Sequence, residues 1–253
     1  MDDEYISLLA DLHKRQQRQG PGGEAETAIA MELADLDPST PLRIADIGCG
    51  TGASTLQLAQ TLNANVTAVD FLPDFIDVLN ERARTTGLSD RINTLVCSME
   101  ELPFADDEYD VIWSEGAIYN MGFGKGVNAW RRFLKPGGIL AVSEITWTTG
   151  TRPEELQTYW DTNYPEIATA SEKIAVLEKG GYTPVGYFVL PEHCWLKNYY
   201  QPLQDSYAGF LERHQASELA ASIVHADKKE IEFCEKYKSF YSYGFYVARR
   251  SEG

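Results

Sequence analysis

Cysteine is scarce in this chain: four in 253 residues, at 49, 97, 194 and 234, with no CxxC pair among them. Neither a disulfide framework nor a thiol zinc site is expected, so no metal is assigned and the thiols read as packing residues. Basic residues are also few. The 22 Lys and Arg stand against 38 Asp and Glu, a formal charge of −16. That balance repels a phosphate backbone, and the one basic cluster, "HKRQQR" at 13–18, reads as a solvated helix face. Nucleic acid is not an expected partner. No apolar run approaches the ~20 residues of a membrane span, and the opening "MDDEYISLLADLHKRQQRQG" lacks the basic-then-apolar order of a signal peptide. A cytoplasmic protein is the expectation. Internal repeats are absent, and "RQGPGGE" at 18–24 is the sole low-complexity stretch.

What the chain does have is alternation. From Leu42 onward, "LRIADIG", "NVTAVD", "INTLVC", "YDVIWS", "GILAVSEI", "YTPVGYFVL" and "SYGFYVARR" predict seven strands. Apolar residues three and four apart predict helices at 55–62, 73–85 and 127–134 between the first five of them, and a fourth at 168–179. Strands alternating with helices give a mostly parallel sheet covered on both faces. A chain of 253 residues suits one domain: a helical segment over 1–36, then a core over about 40–147, 168–190 and 240–250. Two insertions, 147–167 and 191–239, interrupt that core. They carry Trp147, Tyr159, Trp160, Tyr164, Trp195, Tyr199, Tyr200 and Tyr207, and they start beyond the carboxyl ends of the strands, where such sheets bind ligands. A cap over a small-molecule site is predicted.

The most informative stretch is "ADIGCGTGAS" at 45–54. Glycines at 48, 50 and 52 permit a sharp strand-to-helix turn that a ligand can approach closely. A dinucleotide site prefers G-x-G-x-x-G. Here the spacing is G-x-G-x-G, and Asp46 precedes it, an acid unfavourable to a diphosphate but suited to a ligand with ammonium and sulfonium groups. That argues against an NAD-dependent oxidoreductase. Asp70 ends the second strand, where a carboxylate can accept both ribose hydroxyls. Ser98, Met99 and Glu100 end the third, with Met99 placed to pack on a base and Ser98 or a backbone group placed to bond its edge.

In order, "ADIGCGTG", "VD" at 69–70, "LPF" at 102–104, "YDVI" at 109–112 and "LKPGG" at 134–138 resemble the class I S-adenosyl-L-methionine (SAM)-dependent methyltransferases. The likeness is to the small-molecule, ubiquinone/menaquinone-biosynthesis type, over about residues 40–147, and the closing "GFYVARR" is similar to that family's antiparallel last strand. The resemblance implies a Rossmann-like seven-stranded sheet with that strand reversed and with helical cap insertions. It implies Asp46 and Gly48 near the methionine moiety of SAM, Gly50 and Gly52 at the turn, Asp70 on the ribose, and Phe71 and Leu72 on one side of the adenine with Met99 on the other. The family often has Asp where this chain has Ser98, so the adenine amino group falls to Glu100 or the backbone. Glu115 and Gly116 would lie under the methyl group, and "RQGPGG", with Gly20, is similar to a cofactor-covering segment. Its glycines and proline provide hinge points next to a helix, so residues 18–23 are expected to be mobile without cofactor and to order over it on binding.

Methyl transfer is an in-line displacement that needs alignment and exclusion of water, and a general base only when the acceptor must lose a proton. Near the strand tips the candidates are Glu115, Tyr119, Asn120 and Glu144, with His193 from the cap. Tyr119, Glu144 and His193 are the catalytic candidates. The other histidines, 13, 214 and 225, sit in helical patterns among polar residues. The expected function is methylation of a small-molecule acceptor, with a non-catalytic SAM-binding protein as the alternative. An arsenic methyltransferase would need an acceptor thiol cluster that four scattered cysteines do not supply. Acceptor identity and oligomeric state, a homodimer included, are not legible in the chain.

Overall fold

A computed structural model describes residues 3–252. Helices α1 (Asp3–His13) and α2 (Glu24–Leu33) precede β1 (Leu42–Ile47), α3 (Ala53–Thr61), β2 (Ala64–Asp70), α4 (Pro73–Thr85), β3 (Ile92–Val96), β4 (Tyr109–Glu115), α5 (Phe123–Trp130) and β5 (Leu134–Trp147). Then come α6 (Glu154–Asn163), β6 (Ala168–Thr169), α7 (Ala170–Lys179), β7 (Tyr182–Val189), α8 (Glu192–Trp195), a π turn over Leu196–Tyr200, α9 (Gln201–Arg213), α10 (Glu218–Tyr237) and β8 (Tyr241–Arg250).

The sheet runs β3-β2-β1-β4-β5-β8-β7, with the two-residue β6 added beside β5. Strands β1 to β5 pair in parallel, and β8 runs antiparallel to both β5 and β7. All seven predicted strands are present, and β6 is the eighth. Pro73 opens α4 as expected, its missing N–H costing nothing in a first turn. The helix expected at 127–134 instead spans 123–130, because Gly122 at φ 90° opens it earlier and residues 131–133 tighten into a 3-10 turn that feeds β5. The helix expected from 168 starts at 170, after Thr169 forms a capping box with Glu172.

Side chains two apart share a face of the sheet. Ile44, Val66, Val111 and Trp113 pack toward α2, α3 and α4. Ala45, Ile47, Ile112 and Val142 pack with Phe123, Trp130 and Leu177 on the other side. A third cluster, with Leu8 and Leu12 of α1 against Leu203, Phe210 and Ile223, ties the N-terminal helix to the second insertion. That contact carries the N-terminal segment over the carboxyl ends of the strands. Among the described residues no helix is long and apolar enough to cross a membrane.

Candidate functional site

The glycine turn is built as its spacing requires. Gly48, Gly50 and Gly52 have φ of 77°, 54° and 91°. A Cβ on Gly48 would lie 2.2 Å from that of Ala117, and one on Gly52 2.2 Å from Leu79 Cδ1, so close packing as well as backbone conformation demands glycine there. Asp46 is fully buried beneath the turn. Its Oδ2 accepts bonds from Ser54 Oγ (2.8 Å) and Thr55 Oγ1 (2.6 Å) at the start of α3, while Oδ1 has no partner. Burial pushes its pKa up to about 7. Asp70, at the tip of β2, accepts the amides of Gly50 and Leu72, each at 2.9 Å. The Phe71 amide is a third partner, and a carboxylate's roughly four acceptor sites leave one for a ligand.

In front of the turn lies a cavity of about 580 Å³. Of the residues expected at a cofactor, Gly20, Gly48, Gly50, Asp70, Phe71, Leu72, Ser98, Met99, Glu100 and Glu115 line it. Asp46 and Gly52 stand behind the wall instead, where they hold α3 and its packing. Phe71 is 65% exposed at the rim. The third-strand tip is held by Trp130 Nε1 donating to the Met99 carbonyl (3.2 Å), and Glu100 pairs with Lys125 at 2.8 Å.

Among the lining residues that sequence reasoning did not assign to the site are His13, Arg18 and Gln19. Arg18, in the cluster expected to be a solvated helix face, is only partly exposed and pairs with Glu115 Oε2 at 2.7 Å. Thr27 Oγ1 (2.7 Å) and Trp113 Nε1 (2.9 Å) donate to the other Glu115 oxygen. Glu115 is thereby satisfied as an anchor for the N-terminal segment. Gln19 Oε1 accepts the Thr51 amide of the glycine turn at 2.8 Å, and Asn198 Nδ2 donates to the Gly22 carbonyl at 2.8 Å. The "RQGPGG" segment is therefore tethered at both ends over the cavity. Its position next to a helix was legible; the long-range partners that fix it were not.

A second cavity of about 260 Å³ opens beside the first, and Gln19, Gly20, Pro21, Gly116, Tyr119 and Tyr199 line both. Six of the eight quoted cap aromatics line it, together with Phe233, Tyr241, Tyr243 and Glu230. The remaining two, Trp147 and Tyr207, are packed away in the core. Tyr119, 43% exposed, faces both cavities.

Glu144 and His193 lie in neither lining. Glu144 is fully buried and pairs at 3.2 Å with Lys173, itself 2% exposed. Burial pushes the Glu144 carboxyl up and the Lys173 ammonium down, each against the attraction of the other. This geometry gives Glu144 a structural place, not a substrate contact. His193 pairs at 3.2 Å with Glu26. With Cys194 these two form a group, found among the described residues, whose ligand atoms lie within 4.8 Å of one another. The four cysteines are unpaired.

A mostly parallel sheet with reversed β8, a glycine turn at the tip of β1 and an acid at the tip of β2 give a Rossmann-like fold. Residues 44–138 match the methyltransferase domain family, and over this stretch the chain is similar to SAM-dependent methyltransferases. Methyltransferase GfsG of Streptomyces halstedii is 32% identical over 127 residues, covering 49% of this chain and 46% of that one. The ubiquinone/menaquinone biosynthesis C-methyltransferase UbiE of Geotalea daltonii is 31% identical over 107 residues, covering 41% and 46%. The chain spans about half the length of these curated relatives. In fold, a SAM-dependent methyltransferase from Thiobacillus denitrificans, solved with S-adenosyl-L-homocysteine, superposes with a TM-score of 0.84 at 19% identity over 98% of this chain and 99% of that one.

Proposed function

We propose that the protein methylates a small molecule held in the second cavity, with SAM held in the first. The observation that carries this reading is the junction of the two cavities at Gly116, Tyr119 and Tyr199. The first cavity fits the cofactor by its own chemistry. Asp70 keeps an acceptor site for a ribose hydroxyl, Phe71 and Met99 offer apolar faces for adenine, and the turn at Gly48 and Gly50 admits the ligand to the backbone. SAM, when bound, supplies a methyl group on a sulfonium. The chain supplies position: the tethered 18–23 segment and the cap aromatics exclude water, and Tyr119 orients whatever enters from the cap side. No dedicated base is assigned. Core, cap and N-terminal segment are read as one working unit, and the unpaired cysteines support a cytoplasmic setting.

The test is release of S-adenosylhomocysteine from SAM across a panel of amines, phenols and quinols. Turnover on one class, lowered in Tyr119→Phe with cofactor affinity held within about twofold, supports the reading. Tight cofactor binding without turnover on any class would favour the binding-protein alternative.

A further inference from the structure

The second cavity carries a selectivity that methyl transfer alone does not specify. Its walls are chiefly rings, among them Tyr159, Trp160, Trp195, Tyr199, Tyr200 and Tyr243, and Glu230 is the one formally charged side chain of its lining among the described residues. Glu230 Oε1 accepts the Tyr200 hydroxyl at 3.0 Å. Glu230 is an exposed residue of α10 that lines the cavity while neighbours crowd one side of it. Asp227, one turn earlier on α10, adds a second acid whose Oδ2 has no partner. Two cations of the core, Lys173 and Arg18, are already engaged by Glu144 and Glu115. Nothing in the lining balances Glu230.

Ring faces attract cations through their quadrupole, and most strongly where water is excluded. A carboxylate set among them adds counter-charge and turns away anions. Burial pushes the Glu230 carboxyl up, so a bound cation would relieve the cost of its ionised form.

We propose that the second cavity is a recognition site for an organic ammonium ion, held by the ring faces of the cap with Glu230 as its counter-charge. The proposal rests on the methyl-transfer reading only in making the acceptor the free amine that such an ammonium ion gives after losing its proton to solvent, the amine's lone pair forming the new N–C bond as the S–C bond breaks.

The test titrates choline, and separately its uncharged isostere 3,3-dimethylbutan-1-ol, into the full chain. The readout is intrinsic fluorescence, since Trp160 and Trp195 both line the cavity. Choline is expected to bind at least about tenfold more tightly than the isostere, the scale of one desolvated cation–ring site. In Glu230→Gln that preference should fall at least about threefold, the rings keeping the remainder, while calorimetry shows S-adenosylhomocysteine binding unchanged. Equal binding of the two probes, tighter binding of the isostere, binding of neither, or a preference undiminished in Glu230→Gln overturns the proposal. The comparison on the unsubstituted chain needs no variant to fold. It is run with and without S-adenosylhomocysteine, so failure of the cofactor to bind counts against the methyl-transfer reading and leaves the ammonium site to be judged by choline alone.

Discussion

Replacing Lys173 with methionine should damage the fold more than its place on a peripheral helix suggests. Glu144 and Lys173 are 0% and 2% exposed and 3.2 Å apart. Methionine fills similar space but leaves a buried carboxylate alone, a loss of about 3–5 kcal/mol. For a chain of this length about 1 kcal/mol moves Tm by roughly 2–4 °C, so the fall should be about 10–15 °C. Removing the ammonium also removes the attraction that holds the Glu144 carboxyl down, and its pKa rises further from an already raised position. A carboxyl raised in the folded state is tolerated while protonated, and its penalty grows as pH rises. The loss in Lys173→Met should therefore be larger at pH 8.5 than at pH 5.5. The double variant Glu144→Gln/Lys173→Met buries no charge and should recover most of it. Scanning calorimetry at both pH values decides. A Tm within a few degrees of the unsubstituted protein, a loss independent of pH, or a double variant no better than the single would refute the reasoning.

Arg18→Ala should free the N-terminal segment: easing local opening by about 2 kcal/mol raises subtilisin cleavage within 18–23 roughly 30-fold, and an unchanged rate would mean that the Glu115 pair is not what holds it. Asp46, unfolded near 3.8 and folded at about 7, binds its proton more tightly when folded, so stability falls as pH rises between those values, by ~2 kcal/mol from pH 5.5 to 7. Asp46→Asn should lessen that slope in urea titrations without abolishing it, because Asp227 is also raised to about 7. Gly52→Ala, strained at φ 91° and pressed on Leu79, should cost about 2–4 kcal/mol; a Tm unchanged within a degree would show that the turn can shift.

The cofactor side was legible because its determinants are local. The glycine spacing, Pro73 and the strand-tip position of Asp70 lie within some thirty residues, and each constrains backbone or charge by itself. Glu144 misled for a reason that periodicity contains. It shares a strand face with Val142, which packs under α5 and α7, whereas its neighbour Ile145 faces the second cavity. Its partner, 29 positions on, sits in a helix whose pattern gives no sign of a buried lysine. Arg18 lies 97 positions from Glu115 and was hidden in a basic cluster. Glu230 is one of many acids along α10, and only the folding of that helix over the sheet brings it to Tyr200 and the cavity. Local rules found the turn; pairings across the cap needed the fold.

The central claim is that the cavity before the glycine turn holds SAM through Asp70. Isothermal titration of S-adenosylhomocysteine into the unsubstituted protein and Asp70→Ala tests it most directly. The account predicts one site per chain in the former and affinity lower by roughly ten- to a hundredfold in the latter, the loss of ~1.5–3 kcal/mol from a charge-assisted acceptor. No binding to the unsubstituted protein, or equal affinity in a folded Asp70→Ala, would contradict it.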